Sequence, residues 1–355
     1  MTTETAGELE RATAAEPTEP RILWASRPSR RARLFAWLLR LFLRPLIALS
    51  AAVSGLGIRF GPSGIEMWEV WTLFHRLTDL LGRLAPPLSG SVIERVDLPD
   101  CPADYVRAPA VPVEGRAILY LHGGGFVAGG LGSYRRFASI LSRASGGTVL
   151  NVGYRLLPRA PIHHAIADGL SAYRRLLEDG HGAEQIVIAG DSAGGGLAFL
   201  VAYAIRKAGL PGPAAIVAIS PWADLDVADK QVHGSARRDP VIPIKAAAFV
   251  VEKLVQKGAD LDPELSPVNL DLRGLPPVLI HVGTTEVLAL GSVKLAAALG
   301  RAGVPVTLKH WHGQVHDFHV LGLDFVPEAR QALREIGDFV AVTTAPSSAP
   351  LHSGR

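Results

Sequence analysis

A serine lies between two glycines at Gly190-Asp191-Ser192-Ala193-Gly194, after the apolar run Ile186-Val187-Ile188-Ala189 and before an apolar, helix-compatible segment from Leu197 to Ile205. A short apolar run of this kind reads as a buried parallel strand. A strand that turns sharply into a helix through G-x-S-x-G holds its serine at strained backbone angles and presents the hydroxyl as a nucleophile. Gly190 and Gly194 leave the neighbouring side-chain space empty, so strand and helix can pack closely. The helix N-terminus then points backbone N–H groups at an oxyanion forming beside Ser192. Taken alone, the pattern also fits an ordinary glycine-rich turn.

A second glycine cluster narrows the choice. Leu119-Tyr120-Leu121 runs into His122-Gly123-Gly124-Gly125, with Ser192 following His122 by 70 residues. Three glycines let a backbone approach a substrate closely and offer N–H donors with no side chain in the way. Gly124 and Gly125, with Gly123 beside them, are the expected oxyanion donors, completed by the N–H of Ala193. His122 reads as a structural residue steadying the loop. Asp191 is expected to cap the helix that follows and to bond the loop.

Further motifs carry a family resemblance. Gly153-Tyr154-Arg155-Leu156-Leu157-Pro158 and Ser220-Pro221-Trp222-Ala223-Asp224-Leu225, together with the two glycine motifs, resemble the bacterial hormone-sensitive-lipase-like carboxylesterases of the α/β-hydrolase fold. The resemblance covers residues 90–342, and the helices expected at 31–84 resemble those that contribute to the cap in actinobacterial members. The family's chain order implies an acid and then a base after Ser192. Glu286 occupies the place of the acid, with Thr285 where relatives often carry an aspartate. Gly313-Gln314-Val315-His316-Asp317-Phe318 matches the family's G-x-x-H-x-F, which makes His316 the implied base; His310, at a strand end, then reads as structural, and His312 and His319 as neighbours on the same loop and the helix after it. Arg159, His163-His164 and Ala289-Leu290-Gly291 depart from the family pattern and bear on substrate preference. The resemblance implies a serine carboxylesterase for short- to medium-chain acyl esters. An amidase or natural-product deacetylase would use the same triad, and a non-catalytic receptor of this fold could dispense with the base.

These residues must be positioned by regular elements. Strands are expected at 92–97, 103–107, 117–122, 148–152, 185–189, 215–219, 277–282 and 305–310. Helices are expected at 133–144, 165–178, 194–207, 243–256, 290–302 and 327–342. The alternation predicts an eight-stranded, mostly parallel, doubly wound sheet with helices on both faces, the first two strands pairing antiparallel. A catalytic domain is expected over 91–342, with a cap insertion around 225–262. Residues 1–26 and 343–355 read as disordered.

The chain has 355 residues, 48% of them hydrophobic, and a net charge of +3. That weak basicity, with scattered arginines, argues against nucleic-acid binding. The single cysteine, Cys101, allows no intrachain disulfide and points to the cytoplasm; no cluster suggests a metal or other cofactor. Residues 27–90 are expected to add helices to the cap. Within 27–58, Arg40, Arg44 and Pro45 argue against a spanning helix and the long leader argues against a signal peptide. An amphipathic helix at 31–44, with the stripe Leu34, Trp37, Leu38 and Leu41, fits a lid packed on the protein; it could also touch an anionic membrane. A second helical stretch is expected at Glu66–Leu84. The expected partner is a small-molecule ester, and the oligomeric state stays open between monomer and homodimer.

Overall fold

The structure, a computed structural model, describes residues 16–55, 79–80 and 84–345. Apart from residues 79–80 and 84, the helix expected at Glu66–Leu84 lies outside them, as do residues 1–15 and 346–355.

Among the described residues nine strands form one sheet: β1 (Arg21–Trp24), β2 (Val92–Asp97), β3 (Pro102–Arg107), β4 (Ala117–Leu121), β5 (Thr148–Val152), β6 (Ile186–Asp191), β7 (Ala215–Ile219), β8 (Val278–Gly283) and β9 (Val306–Trp311). Their order is β1-β9-β8-β7-β6-β4-β5-β3-β2. As expected, β2 pairs antiparallel with β3; the structure adds an antiparallel pairing of β3 with β5, and the other pairs run parallel.

Eight strands were expected, and residues 1–26 were read as disordered; the ninth strand, β1, corrects both readings for the residues it covers. It adds to the sheet edge parallel to β9, with Arg21 opposite Thr307 and Trp24 opposite His310. Most of its side chains stay exposed. An edge strand held by backbone hydrogen bonds, with Trp24 stacked on His310 at 4.3 Å, leaves little hydrophobic periodicity for the sequence to display.

The central strands are apolar on both sides because helices cover both faces. Leu119, Ile188, Ile216 and Ile280 point into one layer of core. Their neighbours Ile118, Val187, Val217 and Leu279 point into the other. Helices α4 (Ile162–Glu178), α5 (Ser192–Lys207) and α9 (Ala289–Arg301) cover the first face. Helices α3 (Leu131–Ser145) and α11 (Pro327–Thr343) cover the second, with the short α10 (Phe318–Leu321) just before α11. Gly337 lets those two helices meet, since a Cβ there would overlap the backbone carbonyl of Ala144.

Above the carboxyl ends of the strands lie α1 (Arg30–Leu38), α2 (Arg44–Gly55), and three short helices between β7 and β8: α6 (Ala228–Val232), α7 (Ser235–Arg238) and α8 (Ile244–Phe249). A single π-helical turn, Leu39–Leu43, joins α1 to α2. Pro45 has no N–H to give the carbonyl four residues back and its ring crowds that turn, which a widened turn accommodates. The helix expected to end near residue 44 therefore continues past it. Ser29 caps α1 through its hydroxyl and accepts from Ala32 N–H at 3.1 Å. Its own N–H and hydroxyl bond the carboxylate of Glu328 at 2.6 and 3.1 Å, tying the segment to the start of α11.

Replacing Gly337 by alanine should force α11 away from α3. An overpacked helix contact of this kind costs about 1–3 kcal/mol, so thermal unfolding followed by circular dichroism should show a lower midpoint with the folded spectrum unchanged.

Candidate active site

The side chains singled out in the sequence meet at one edge of the sheet. Ser192 follows β6, the glycine loop follows β4, Glu286 lies three residues past β8 and His316 five past β9. This is the edge where open parallel sheets bind ligands. Ser192 opens α5 with φ of 52°, in the left-handed region. The flanking glycines are required by contact: a Cβ on Gly194 would overlap the carbonyl of Leu121, and one on Gly190 the carbonyl of Gly194.

Ser192 Oγ lies 2.9 Å from His316 Nε2, and His316 Nδ1 lies 2.6 Å from Glu286 Oε2. All three side chains are buried. Glu286 Oε1 accepts from the Ser220 hydroxyl at 3.0 Å and from Gly283 N–H. Burial pushes the Glu286 carboxyl up, while its bond to His316 works against that. Thr285 Oγ1 donates to Gln314 O at 2.7 Å, and Gly313 N–H to Thr284 Oγ1 at 2.9 Å. These bonds zip the loop carrying Glu286 to the loop carrying His316.

Asp317 was not singled out in the sequence. Its Oδ2 lies 2.9 Å from His316 Nε2, so carboxylates face both ring nitrogens. Burial lowers the basicity of this imidazole, but Asp317 and then Glu286 outweigh it and hold the ring well above the ordinary histidine value. Asp239 was missed as well. Its buried carboxylate accepts from Val241 and Ile242 N–H at 2.7 and 2.9 Å and from Val287 N–H at 2.8 Å, so the segment between α7 and α8 is pinned beside Glu286. Asp317 follows the matched histidine at a position where the motif allows any residue, and Asp239 lies 47 residues before Glu286. Neither carried a local signal.

The glycine loop corrects one expected donor. Gly123 N–H donates to Asp191 Oδ1 at 2.8 Å and reaches Tyr134 Oη at 3.1 Å, so it is already engaged and not available to an oxyanion. Gly124 and Gly125, with φ of 115° and 64°, give their N–H groups to no acceptor among the described residues. The N–H of Ala193 belongs to the first helical turn, which has no intrahelical acceptor. Asp191 does not cap α5. Instead it accepts from the Tyr120 and Tyr134 hydroxyls at 2.5 and 2.7 Å as well as from Gly123. Burial, with the charge of Asp317 adding, raises its carboxyl to about 7 against these bonds. His122 stacks on Tyr154 at 4.3 Å and sets its Nδ1 2.8 Å from Gly123 O, steadying the loop as expected.

A cavity of about 320 Å³ reaches Ser192 and His316; Leu43, Ile47, Trp222 and Val241 are among its apolar walls. Three larger hollows, of about 520, 580 and 750 Å³, touch neither residue. The remaining histidines stand apart: His310 is under Trp24, His312 is exposed, and His319 is buried with its Nε2 3.1 Å from His281 Nδ1. His163 and His164 open α4.

Residues 118–320 match the alpha/beta hydrolase fold family. The chain belongs to this family. It is 41% identical over 275 residues to Esterase LipU of Mycobacterium tuberculosis (strain ATCC 25618 / H37Rv), covering 75% of this chain and 92% of LipU. To Carboxylesterase/phospholipase LipF of the same strain it is 38% identical over 344 residues, covering 93% and 87%. The crystal structure of an esterase from the bacterial hormone-sensitive lipase family superposes with a TM-score of 0.74 at 29% identity, covering 90% of this chain and 100% of that one. These likenesses place this alpha/beta hydrolase in the hormone-sensitive-lipase-like group.

In this hydrolase, Asp317→Asn removes one of the two carboxylates that favour a charged His316. The ring should then titrate at lower pH than in the wild type, as read by nitrogen NMR of the labelled imidazole. An unmoved midpoint would assign the shift to Glu286 alone.

Proposed function

We propose that the protein is a serine carboxylesterase acting on short- to medium-chain acyl esters by acyl transfer. The observation that carries this reading is the buried hydrogen-bonded chain Ser192–His316–Glu286, at 2.9 and 2.6 Å. Ser192 Oγ attacks the ester carbonyl while His316 Nε2 takes its proton. Glu286, held by Ser220 and Gly283, keeps the other ring N–H in place and stabilises the imidazolium that forms. Negative charge developing on the carbonyl oxygen meets the N–H groups of Gly124, Gly125 and Ala193, fixed before the reaction begins. His316 then gives its proton to the departing alkoxide. A water activated by the same ring attacks the acyl-enzyme, releasing the acid and regenerating Ser192.

The retained base favours this enzyme over a receptor of the same fold. LipF is named a phospholipase as well as a carboxylesterase, which supports acyl esters as the substrate class. The apolar cavity of about 320 Å³ suits a short or medium acyl chain.

Ser192→Ala should lower kcat for p-nitrophenyl butyrate by at least about 10⁴-fold with the thermal midpoint retained, and a fluorophosphonate should label Ser192 in the wild type alone. Turnover surviving in the alanine variant would remove Ser192 from the mechanism. Because His316 must be neutral to act as a base, activity should fall as pH drops through its raised titration range. Across p-nitrophenyl esters of increasing acyl length, kcat/KM should peak at short to medium chains, and a maximum at the longest chains would contradict the assigned pocket.

A further inference from the structure

Residues 20–55 contain seven arginines and no aspartate or glutamate. The structure divides this segment into two faces. Ala32, Phe35, Ala36, Leu39, Leu43 and Ile47 turn inward and join the core cluster around Trp311 and Phe318. Leu34, Trp37, Leu41, Phe42, Leu46 and Leu49 turn outward, each 47–66% exposed. Of the stripe that the sequence suggested would pack as a lid, Leu34, Trp37 and Leu41 are therefore on the solvent side, and Leu38 alone is half-buried. The segment already has an inner apolar face, so a second, outer one is not needed to fold it.

Charge surrounds the outer face. Arg27, Arg30, Arg31 and Arg33 are exposed at and just before the start of α1, and Arg237 and Arg238 are exposed on α7. Arg40 and Arg44 reach from the helices to the carbonyls of Arg237 and Ala236 at 3.2 and 3.4 Å, which brings α7 against this segment. No helix among the described residues is long and apolar enough to cross a membrane. An exposed row of leucine, tryptophan and phenylalanine rimmed by arginine, on a helix too interrupted to span, fits the boundary between lipid head groups and acyl chains. The absence of acidic residues in the segment favours an anionic leaflet.

We propose that α1, the π turn and α2 form an interfacial docking face for an anionic lipid bilayer, seating the cavity of Ser192 at the membrane surface. The connection to the site is direct. Leu43 and Ile47, on the inner side of the same helices, wall the cavity that reaches Ser192. An ester dissolved in the bilayer then meets the catalytic cavity across the thickness of one helix. This second part rests on the esterase reading, and it assigns membrane-dissolved acyl esters as the substrate class.

Binding and turnover are tested separately, on the full chain. Wild type and Ser192→Ala should both co-sediment with vesicles of phosphatidylcholine and phosphatidylglycerol, much less with phosphatidylcholine alone, and less as salt rises. The double variant Trp37→Glu/Phe42→Glu should partition at least tenfold more weakly, and Arg30→Ala/Arg31→Ala/Arg33→Ala should lose most of the preference for the anionic vesicles. Both should hydrolyse water-soluble p-nitrophenyl butyrate at the wild-type rate, which also shows that they fold. Equal partitioning of wild type and variants, or no partitioning at all, overturns the docking face. A dimer in light scattering that the double variant dissolves, without vesicle binding, would reassign the face to a second copy of the chain. A wild type that hydrolyses esters but does not bind the vesicles rejects this inference alone, whereas vesicle binding by a wild type inactive on every ester rejects the enzymatic reading instead.

Discussion

The close approach of the first turn of α5 to the last carbonyl of β4 sets the geometry on which the site depends. Leu121 O occupies the space that a side chain at position 194 would need, and Gly194 O the space at position 190. Only with both positions empty can β6 turn at once into α5 and leave Ser192 in the left-handed region. The same contact brings the glycine loop after β4 beside the helix N-terminus. Ser192 and the N–H groups of the glycine loop are thus placed by one steric constraint, and the parallel order of β6, β7, β8 and β9 brings Glu286 and His316 to the same edge.

Around that constraint the protein buries an unusual concentration of acid. Asp191, Asp239, Glu286 and Asp317 are all buried, and an isolated buried carboxylate is costly. Each of the four has a defined set of partners. Asp191 has two tyrosine hydroxyls and Gly123 N–H; Asp239 has three backbone N–H groups; Glu286 has Ser220, Gly283 and His316; Asp317 faces the same imidazole. Three of these sets lock a loop in place: the glycine loop, the segment between α7 and α8, and the turn after β8. Negative charge here orders backbone around the site as well as acting on His316.

The N-terminal segment has a comparable double use. Its inner face completes the wall of the cavity, and its bonds to Glu328, Ala236 and Arg237 hold it to both α11 and the segment before β8. Pro45 does not end the helix but widens it by a π turn, which lets one continuous element run above the site. The outer face contributes nothing to that packing, which is why its composition calls for a separate account.

The sequence by itself determined whatever depends on local sterics and on short-range periodicity. Both glycine motifs were legible because a sharp turn and a bare backbone donor each demand glycine at fixed positions. The central strands were legible because burial on both faces makes them uniformly apolar. Glu286 and His316 were reached through a resemblance, since nothing near either residue distinguishes it chemically. Tertiary structure alone decided the rest. It turned Gly123 N–H toward an aspartate 68 residues away, set Asp317 against the imidazole edge, joined Asp239 to Val287 across 48 residues, and built β1 from backbone bonds to β9. It also decided which face of the N-terminal helix turned outward. Such pairings are made by backbone amides and by carboxylates brought together from distant parts of the chain, and a hydrogen bond between distant positions leaves no periodic trace in either one.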